Sequence, residues 1–292
     1  MNEELTLRVN NKELTGWTEI KVARGIERCP SDFDISLTER SPDKTQSFIV
    51  SPGDECQVYL GKDLVITGYI DRYMPSIEPS AHNVRVLGRN KCQDLVDCAA
   101  IKAGGQFRDS NVFSIATELA KEYGIKVVNK SKAKLPVTPM FNLNLGETSY
   151  EIIERLARYS ALLVYDGVDG NLILSGVGSE KMSGAIEEGK NVERASMNHS
   201  MDQRFSEYSV FMLGCDTFQD IGDGGNLLCK VEDVNVSRKR VKYIIADAGA
   251  PGNDLAQKRA LWEASPVAYW TSMVTKPRCH SVKAYFGIGQ KL

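Results

Sequence analysis

The sequence predicts a mainly β protein with an α+β insertion, in which two small β-barrel domains flank an α+β domain. Short alternating strands fill the first 90 residues, two capped helices occupy the middle third, and strand patterns return after residue 204. The chain has 292 residues, 42% of them hydrophobic, so it can bury a core and is long enough for about two domains. Wholesale disorder is excluded by this composition.

The first 90 residues carry the period-2 pattern of half-buried strands. The pattern recurs at 5–9, 20–22, 35–37, 56–60, 64–69 and 84–87. Asn10-Asn11 marks a turn, and Pro52-Gly53 stands where a type II turn places proline and glycine. Short strands separated by turns predict a small barrel or sandwich.

The middle third carries helix signals. A helical apolar stripe runs from Asn111 to Tyr123 and is followed by Gly124, a typical residue after a helix C-terminus. A second helix is predicted from Thr148, which forms a capping box with Glu151, to about Ser160. Ile152, Leu156 and Tyr159 recur at helical spacing and form its apolar face.

A hairpin is predicted directly after the second helix, with strands at 162–165 and 172–174. Asp166 and Asp169 lie in its turn, and we expect both carboxylates to bond the local backbone there. Residues 175–193 are rich in Gly, Ser, Glu and Lys and predict a linker or long loop.

The last third returns to β structure. Strands are predicted at 208–213, 229–236 and 241–246, and a helix at 254–264 has Asp254 and Gln257 as a capping pair. The expected domains are 1–90, an N-terminal β-barrel; 91–180, an α+β domain; and 181–265, a second β-barrel. Residues 266–292 show little alternation and are predicted to be an atypical C-terminal tail.

No residue is predicted to be catalytic, cofactor-binding or metal-binding. The carboxylates form no distinctive pair, and the three histidines lie far apart with no HExxH motif. The seven cysteines include no CxxC and predict ordinary buried thiols. The glycine clusters at 104–105 and 222–225 are not followed by the Lys-Ser/Thr pair of a phosphate-binding loop. The basic runs 126–134 and 238–242 predict solvated or protein-contacting faces.

The net charge and the hydropathy of the chain restrict where the protein can be located. The net charge of −2 gives no general attraction to nucleic acid or anionic membranes. No apolar run reaches the roughly 18–20 residues that span a bilayer, and the polar N-terminus is not a secretory signal. We therefore expect synthesis in a cytoplasm and no stable membrane insertion.

Several phrases, in this order, resemble the baseplate hub proteins of Mu-like phages and the hub part of contractile-secretion spike proteins. They are VARGIERCPSDFDISLTER at 22–40, VYLG and ITGYID at 58–71, GRNKCQDLVD at 88–97, the helix and hairpin at 146–176, and the segment 233–264. Two departures are visible. Ala161 stands where the family has glycine, and Pro266 stands where paired arginines and further strands are expected.

The resemblance implies a non-enzymatic structural protein. It implies three copies in a ring, whose six barrels adapt the sixfold tail tube to the threefold central spike. Partners would be the tube, the spike and other baseplate proteins, with DNA only passing through the channel. The protein would reach the virion baseplate after assembly. Two alternatives stay open: a tail-associated peptidoglycan hydrolase, and the hub of a phage-derived secretion or injection device.

Overall fold

The computed structural model contains three separate buried cores in chain order. It describes residues 4–26, 28–38, 50–78, 81–132, 134–176, 201–202, 204–213, 226–246, 253–264, 268–276 and 279–288. We refer to the three parts as the N-terminal unit (4–90), the middle unit (91–176) and the third unit (204–264).

The N-terminal unit is one curled, seven-stranded sheet with antiparallel neighbours throughout. Its order is β2-β1-β5-β6-β7-β4-β3. The strands are β1 (Leu5–Val9), β2 (Lys12–Leu14), β3 (Glu19–Ala23), β4 (Asp32–Thr38), β5 (Glu55–Leu60), β6 (Asp63–Glu78) and β7 (Ala81–Asn90). The predicted alternation is confirmed, because Leu5, Leu7 and Val9 all face the core.

Two positions in this unit require glycine. A Cβ on Gly88 would lie 2.5 Å from the Phe33 ring and 2.5 Å from the carbonyl oxygen of Tyr69, so only glycine fits there. Gly53 has φ +93° and its turn is closed by the amide of Asp54 on the carbonyl of Ser51 at 3.1 Å, as a type II turn requires.

The middle unit packs three helices against two small sheets. Its elements are α1 (Gln93–Asp97), β8 (Gln106–Asn111), α2 (Val112–Lys121), β9 (Val127–Asn129), β10 (Val137–Asn142), α3 (Ser149–Tyr159), β11 (Leu163–Asp166) and β12 (Leu172–Ser175). One sheet is β10-β8, and the other is β11-β12-β9 with β9 parallel to β12. The sequence predicted α2, α3, β9 and the β11–β12 hairpin, but not α1, β8 or β10.

The predicted caps at the end of α2 and the start of α3 are confirmed. The Thr148 side chain accepts from the amide of Glu151, whose carboxylate accepts from the amide of Thr148. Gly124 has φ +65° after α2. Ala161 has φ +52° just after α3, which is the left-handed conformation that glycine adopts at no steric cost.

The third unit is a three-stranded sheet covered by one helix. Its elements are β13 (Glu207–Leu213), β14 (Asn226–Glu232), β15 (Val241–Ala246) and α4 (Asn253–Ala264), with sheet order β14-β13-β15. The predicted strand at 229–236 is shifted, because the chain leaves the sheet at Glu232 and Val236 is buried in the following turn. The side chain of Asp254, which is predicted to cap this helix with Gln257, lies outside the described part of the structure.

Two strands lie in the segment 266–292, which is predicted to be an atypical C-terminal tail with little alternation. β16 (Ala268–Lys276) and β17 (Cys279–Ile288) form an antiparallel hairpin. The aromatic and β-branched content of this segment outweighs its lack of alternation. The predicted linker lies mostly outside the described residues. The fold class itself, mainly β with an α+β middle, is confirmed.

Candidate functional site: the joints between the three units

The turn of the β11–β12 hairpin docks on the N-terminal sheet. Asp166, at the end of β11, is 1% exposed, and its Oδ1 accepts a hydrogen bond of 2.8 Å from the backbone amide of Ser31. The carbonyl oxygen of Asp166 accepts from Nη2 of Arg24 at 3.2 Å. One residue of the middle unit therefore binds two segments of the N-terminal unit.

A second set of contacts crosses the same joint beside Asn90, the last residue of β7. Asn90 is fully buried, and its Nδ2 donates 2.9 Å to the carbonyl of Gly167. Its Oδ1 accepts from the amide of Cys92 at 3.1 Å, which fixes the chain where it leaves the sheet. The side chain of Lys91 lies against Gly170, where an added Cβ would come within 3.1 Å. The joint is therefore built from backbone groups and two buried polar side chains.

The role of Asp166 differs from the prediction. Asp169 does bond the local turn, accepting from the amide of Asn171 at 3.3 Å, but Asp166 reaches across to the other unit. Burial raises the pKa of the Asp166 carboxyl, although the Ser31 hydrogen bond and the Arg24 charge oppose the rise. Its Oδ2 has no hydrogen-bond partner among the described residues. A buried, incompletely paired carboxylate holds the two units in one orientation at a cost in stability.

Two thiols lie at this joint. The Sγ of Cys92 donates to the carbonyl of Gly170 at 3.7 Å, and Cys29 contacts Cys92. The hydrogen bond with Cys92 and burial raise the pKa of Cys29, so the thiol stays protonated and unreactive. Cys56 is buried as well, and burial raises its pKa to about 12. These residues agree with the prediction of ordinary thiols, whereas Cys215 and the side chain of Cys279 lie outside the described part.

A second joint connects the middle and third units through α3. Ile152 and Leu156 face the middle core, as the helical spacing predicts. Tyr159, the last residue of the same stripe, instead packs with Tyr208, Val210, Ile244 and Ala260 in the third core. One helix thus contributes to both hydrophobic cores.

Charged side chains surround this second joint. Glu263 of α4 accepts from Lys242 at 2.8 Å and pairs with Arg259 at 2.6 Å, and its side chain is 13% exposed. Burial alone would raise the pKa of Glu263, but the Lys242 hydrogen bond and the Arg259 charge lower it below the usual value. Burial lowers the pKa of Arg259. The charge of Arg158, on α3, acts on both groups.

The remaining features form no chemical centre in the described part of the chain. No group of three or more His, Cys, Asp or Glu side chains there could hold a metal ion. Gly104 and Gly105 have positive φ in a short 3-10 turn that leads into β8, not into a helix. The lysines at 126, 130, 132 and 134 are exposed, whereas His199, the side chain of His280 and residues 222–225 lie outside the description. None of the described helices is long and apolar enough to cross a membrane.

Solved structures share this arrangement. The tail protein from Neisseria meningitidis MC58 superposes with a TM-score of 0.73 and 21% identity over 94% of this chain and 82% of that one. The 43 kDa tail protein of prophage MuSo2 from Shewanella oneidensis gives a TM-score of 0.77 and 31% identity, over 90% of this chain and 78% of that one. The fold therefore defines a phage tail protein.

Sequence comparisons specify which kind. Residues 4–90 match the model described as Mu phage baseplate assembly protein GpP-like, N-terminal, and residues 92–176 match baseplate hub protein gp44-like, second domain. Baseplate hub protein gp44 of Escherichia phage Mu is 31% identical over 270 residues, which is 90% of this chain and 70% of that protein. The chain belongs to the Mu-type baseplate hub family, and the resemblance seen in the sequence is confirmed.

Proposed function

We propose that three copies of this chain form a ring at the baseplate hub and adapt the sixfold tail tube to the threefold central spike. Membership of the hub family is the observation that carries the proposal. The division into 1–90, 91–180, 181–265 and 266–292 belongs to the same proposal. In it, the first and third parts supply two barrel-like bodies per copy, six per ring.

Symmetry gives the physical reason for such a ring. A trimer whose copies each present two similar β bodies offers nearly sixfold contacts on one side and threefold contacts on the other. A rotationally closed contact between unlike surfaces limits itself at three copies. The joints described above support this role, because the buried Ser31–Asp166 contact fixes the N-terminal unit on the middle unit, and Tyr159 of α3 packs in the core of the third unit.

The proposed role is structural, with no bond made or broken. The relatives are named as hub and tail proteins, which supports this. The proposed partners are further copies of the chain, the tail tube, the spike and other baseplate proteins, and DNA would only pass through the channel. Assembly would take place in the host cytoplasm, before incorporation into the virion. The hydrolase alternative stays a prediction, and clearing on a peptidoglycan zymogram would support it.

Mass in solution tests the trimer. Light scattering coupled to size exclusion should give three times the chain mass of 32.3 kDa at tens of micromolar. A monomer at that concentration, both for this chain and for the control described next, contradicts the ring. Because the segment after 266 departs from the family pattern, the matched control is the same chain with a family-like C-terminus. A trimer found only for that control would assign the failure to residues 266–292.

A further inference from the structure

The N-terminal sheet has two outer strands, β2 and β3, and they differ in how open they are to further pairing. β2 has only three residues, and such a short edge offers little backbone to a partner. β3 has five residues, and its register with β4 runs without a bulge from Glu19–Ser36 to Ala23–Asp32. The side of β3 away from β4 therefore carries a regular row of backbone N–H and C=O groups that another strand can bind.

The side chains of β3 hold this edge in place without closing it. Ile20 and Val22 pack against the core of the N-terminal unit. Glu19 and Lys21 are exposed at the alternate positions and carry opposite charges. They do not repel an approaching strand as a row of like charges does. The strand also lacks proline, which blocks edges elsewhere. β3 therefore needs a cover from another part of a chain.

The C-terminal hairpin lies beside this edge. Cα atoms of β17 come within 8 Å of Cα atoms of β3, although the two strands lie at opposite ends of the chain. Sheets stacked face to face are about 10 Å apart, whereas neighbouring strands of one sheet are about 5 Å apart. The approach of β17 is therefore closer than face-to-face stacking and places it at the side of β3 that β4 does not occupy. β16 and β17 form a sheet of their own, so the hairpin flanks this edge without joining its ladder.

The contact also serves the hairpin. β16 pairs with β17 from Ala268–Ile288 to Lys276–Cys279, and these two strands make up the whole of their sheet. A two-stranded hairpin is at best marginally stable in water and needs a third strand or a packing surface. The edge of the N-terminal sheet supplies that neighbour, so each element stabilises the other.

We infer that the hairpin of residues 268–288 covers the β3 edge of its own copy and keeps that edge from pairing with a strand of another chain. The hairpin belongs to the segment after Pro266 that departs from the family pattern, so the cover is a feature of this chain. Copies that meet in an assembly then do so through surfaces other than the β3 edge. The inference does not rest on the proposed ring, because the contact lies within one copy.

Hydrogen exchange followed by mass spectrometry tests the cover on the full-length chain. Val282→Pro interrupts β17 at the position paired with Val274 and removes a backbone donor there. Val282→Thr is the matched control, because it keeps the amide and a β-branched side chain. The peptide that contains β3 should exchange at least about fivefold faster in the proline variant than in the control, since covered amides exchange only after local opening.

β2, the opposite edge of the same sheet, is the internal reference, and the peptide that contains it should exchange equally in both variants. Equal exchange of β3 in the two variants overturns the inference. Faster exchange of β2 and β3 alike would mean that the whole sheet has loosened, and this result overturns it as well.

Cross-linking of the unaltered chain shows which copy supplies the cover. A short amine-reactive cross-linker should join Lys21 of β3 to Lys283 of β17. Isotope-labelled and unlabelled chains are refolded together before the reaction, and the linked peptides should be either both labelled or both unlabelled. Mixed pairs would mean that the hairpin covers another copy. Mixed pairs overturn the inference, and so does the absence of a link when Lys21 reacts with the reagent.

Light scattering tests the protective role. At tens of micromolar, Val282→Pro should form species that are larger than those of Val282→Thr and grow with concentration, because the uncovered edge can add strands. An unchanged mass overturns the protective role. The comparison is between two variants, so it is valid whether the unaltered chain is a monomer or a trimer. Failure of the ring and failure of the cover are therefore distinguished.

Discussion

The backbone amide of Ser31 donates a 2.8 Å hydrogen bond to Oδ1 of Asp166, although 135 residues separate them in the chain. Both residues are 1% exposed. This contact fixes the hairpin of the middle unit against the N-terminal sheet, and it makes the orientation of the two units sensitive to one carboxylate.

Removing that acceptor should destabilise the protein. Asp166→Ala leaves the Ser31 amide buried without a partner, which we expect to cost about 1–3 kcal/mol of the free energy of unfolding. Asp166→Asn is the matched control, because its amide oxygen can still accept from Ser31 while the buried charge is gone. In urea unfolding at pH 7, the free energy of unfolding of Asp166→Asn should equal or exceed that of the unaltered chain. The value for Asp166→Ala should be well below both. Equal stability of all three would contradict the role given to this bond.

The same carboxyl predicts a pH dependence. Its pKa is raised in the folded state above the ordinary 3.8, so the folded state binds the proton more tightly. The contribution of Asp166 to the free energy of unfolding should therefore increase as the pH falls from the raised value toward 3.8. Asp166→Asn should remove this increase. The measurement is the free energy of unfolding against pH for the unaltered chain and for Asp166→Asn. The difference between the two curves isolates the titration of Asp166 from that of other groups.

Glu263 should behave in the opposite sense. Its pKa is lowered below the ordinary 4.5, so its contribution is present above that value and is lost as the pH falls through the folded pKa. Glu263→Gln leaves Lys242 and Arg259 without their carboxylate, and we expect a loss of about 2–3 kcal/mol at pH 7, less than for a fully buried pair. Glu13→Gln, whose partner Arg8 is 45% exposed, is the control and should change nothing measurable. Loss of stability in both would point to a non-specific charge effect.

Replacing Ala161 by glycine should stabilise the protein. It adopts φ +52°, a conformation that costs an L-residue about 1–2 kcal/mol and glycine almost nothing. Ala161→Gly should therefore raise the free energy of unfolding by about 1 kcal/mol, measured by urea or heat. Ala157→Gly, four residues earlier and inside α3, is the control and should lower it by about 1 kcal/mol or more. A destabilised Ala161→Gly would mean that the conformation of this residue is not a source of strain.

Gly88→Ala should damage the N-terminal sheet. The added methyl would lie 2.5 Å from both the Phe33 ring and the Tyr69 carbonyl oxygen, which no side-chain rotation relieves. Overpacking of this kind typically costs about 1–3 kcal/mol. We expect a cost near the upper end of this range, because the Tyr69 carbonyl belongs to the backbone and cannot rotate away as a side chain can. Gly176→Ala meets no atom within 4 Å and should be neutral. Tryptophan fluorescence can follow the effect, since Trp17 belongs to the same core.

Local signals in the sequence predicted most of the fold. Thr148 and Glu151 define a helix start through contacts three residues apart, and Gly53 defines its turn within four residues. The joints could not be predicted in this way. Asp166 has the sequence context of a turn residue, and only the folded chain shows that its partner is Ser31. The helical spacing placed Tyr159 correctly on the stripe of α3 but could not show that the stripe serves two cores.

That sharing of Tyr159 bears on the order in which the chain folds during synthesis. The third sheet is made after α3, and its core of Tyr208, Val210, Ile244 and Ala260 is completed by a residue that is already present. The emerging strands can therefore condense on a preformed helix end, which shortens the search for their native pairing. Conversely, loss of α3 removes part of two cores at once, so the middle and third units should melt in a single cooperative transition.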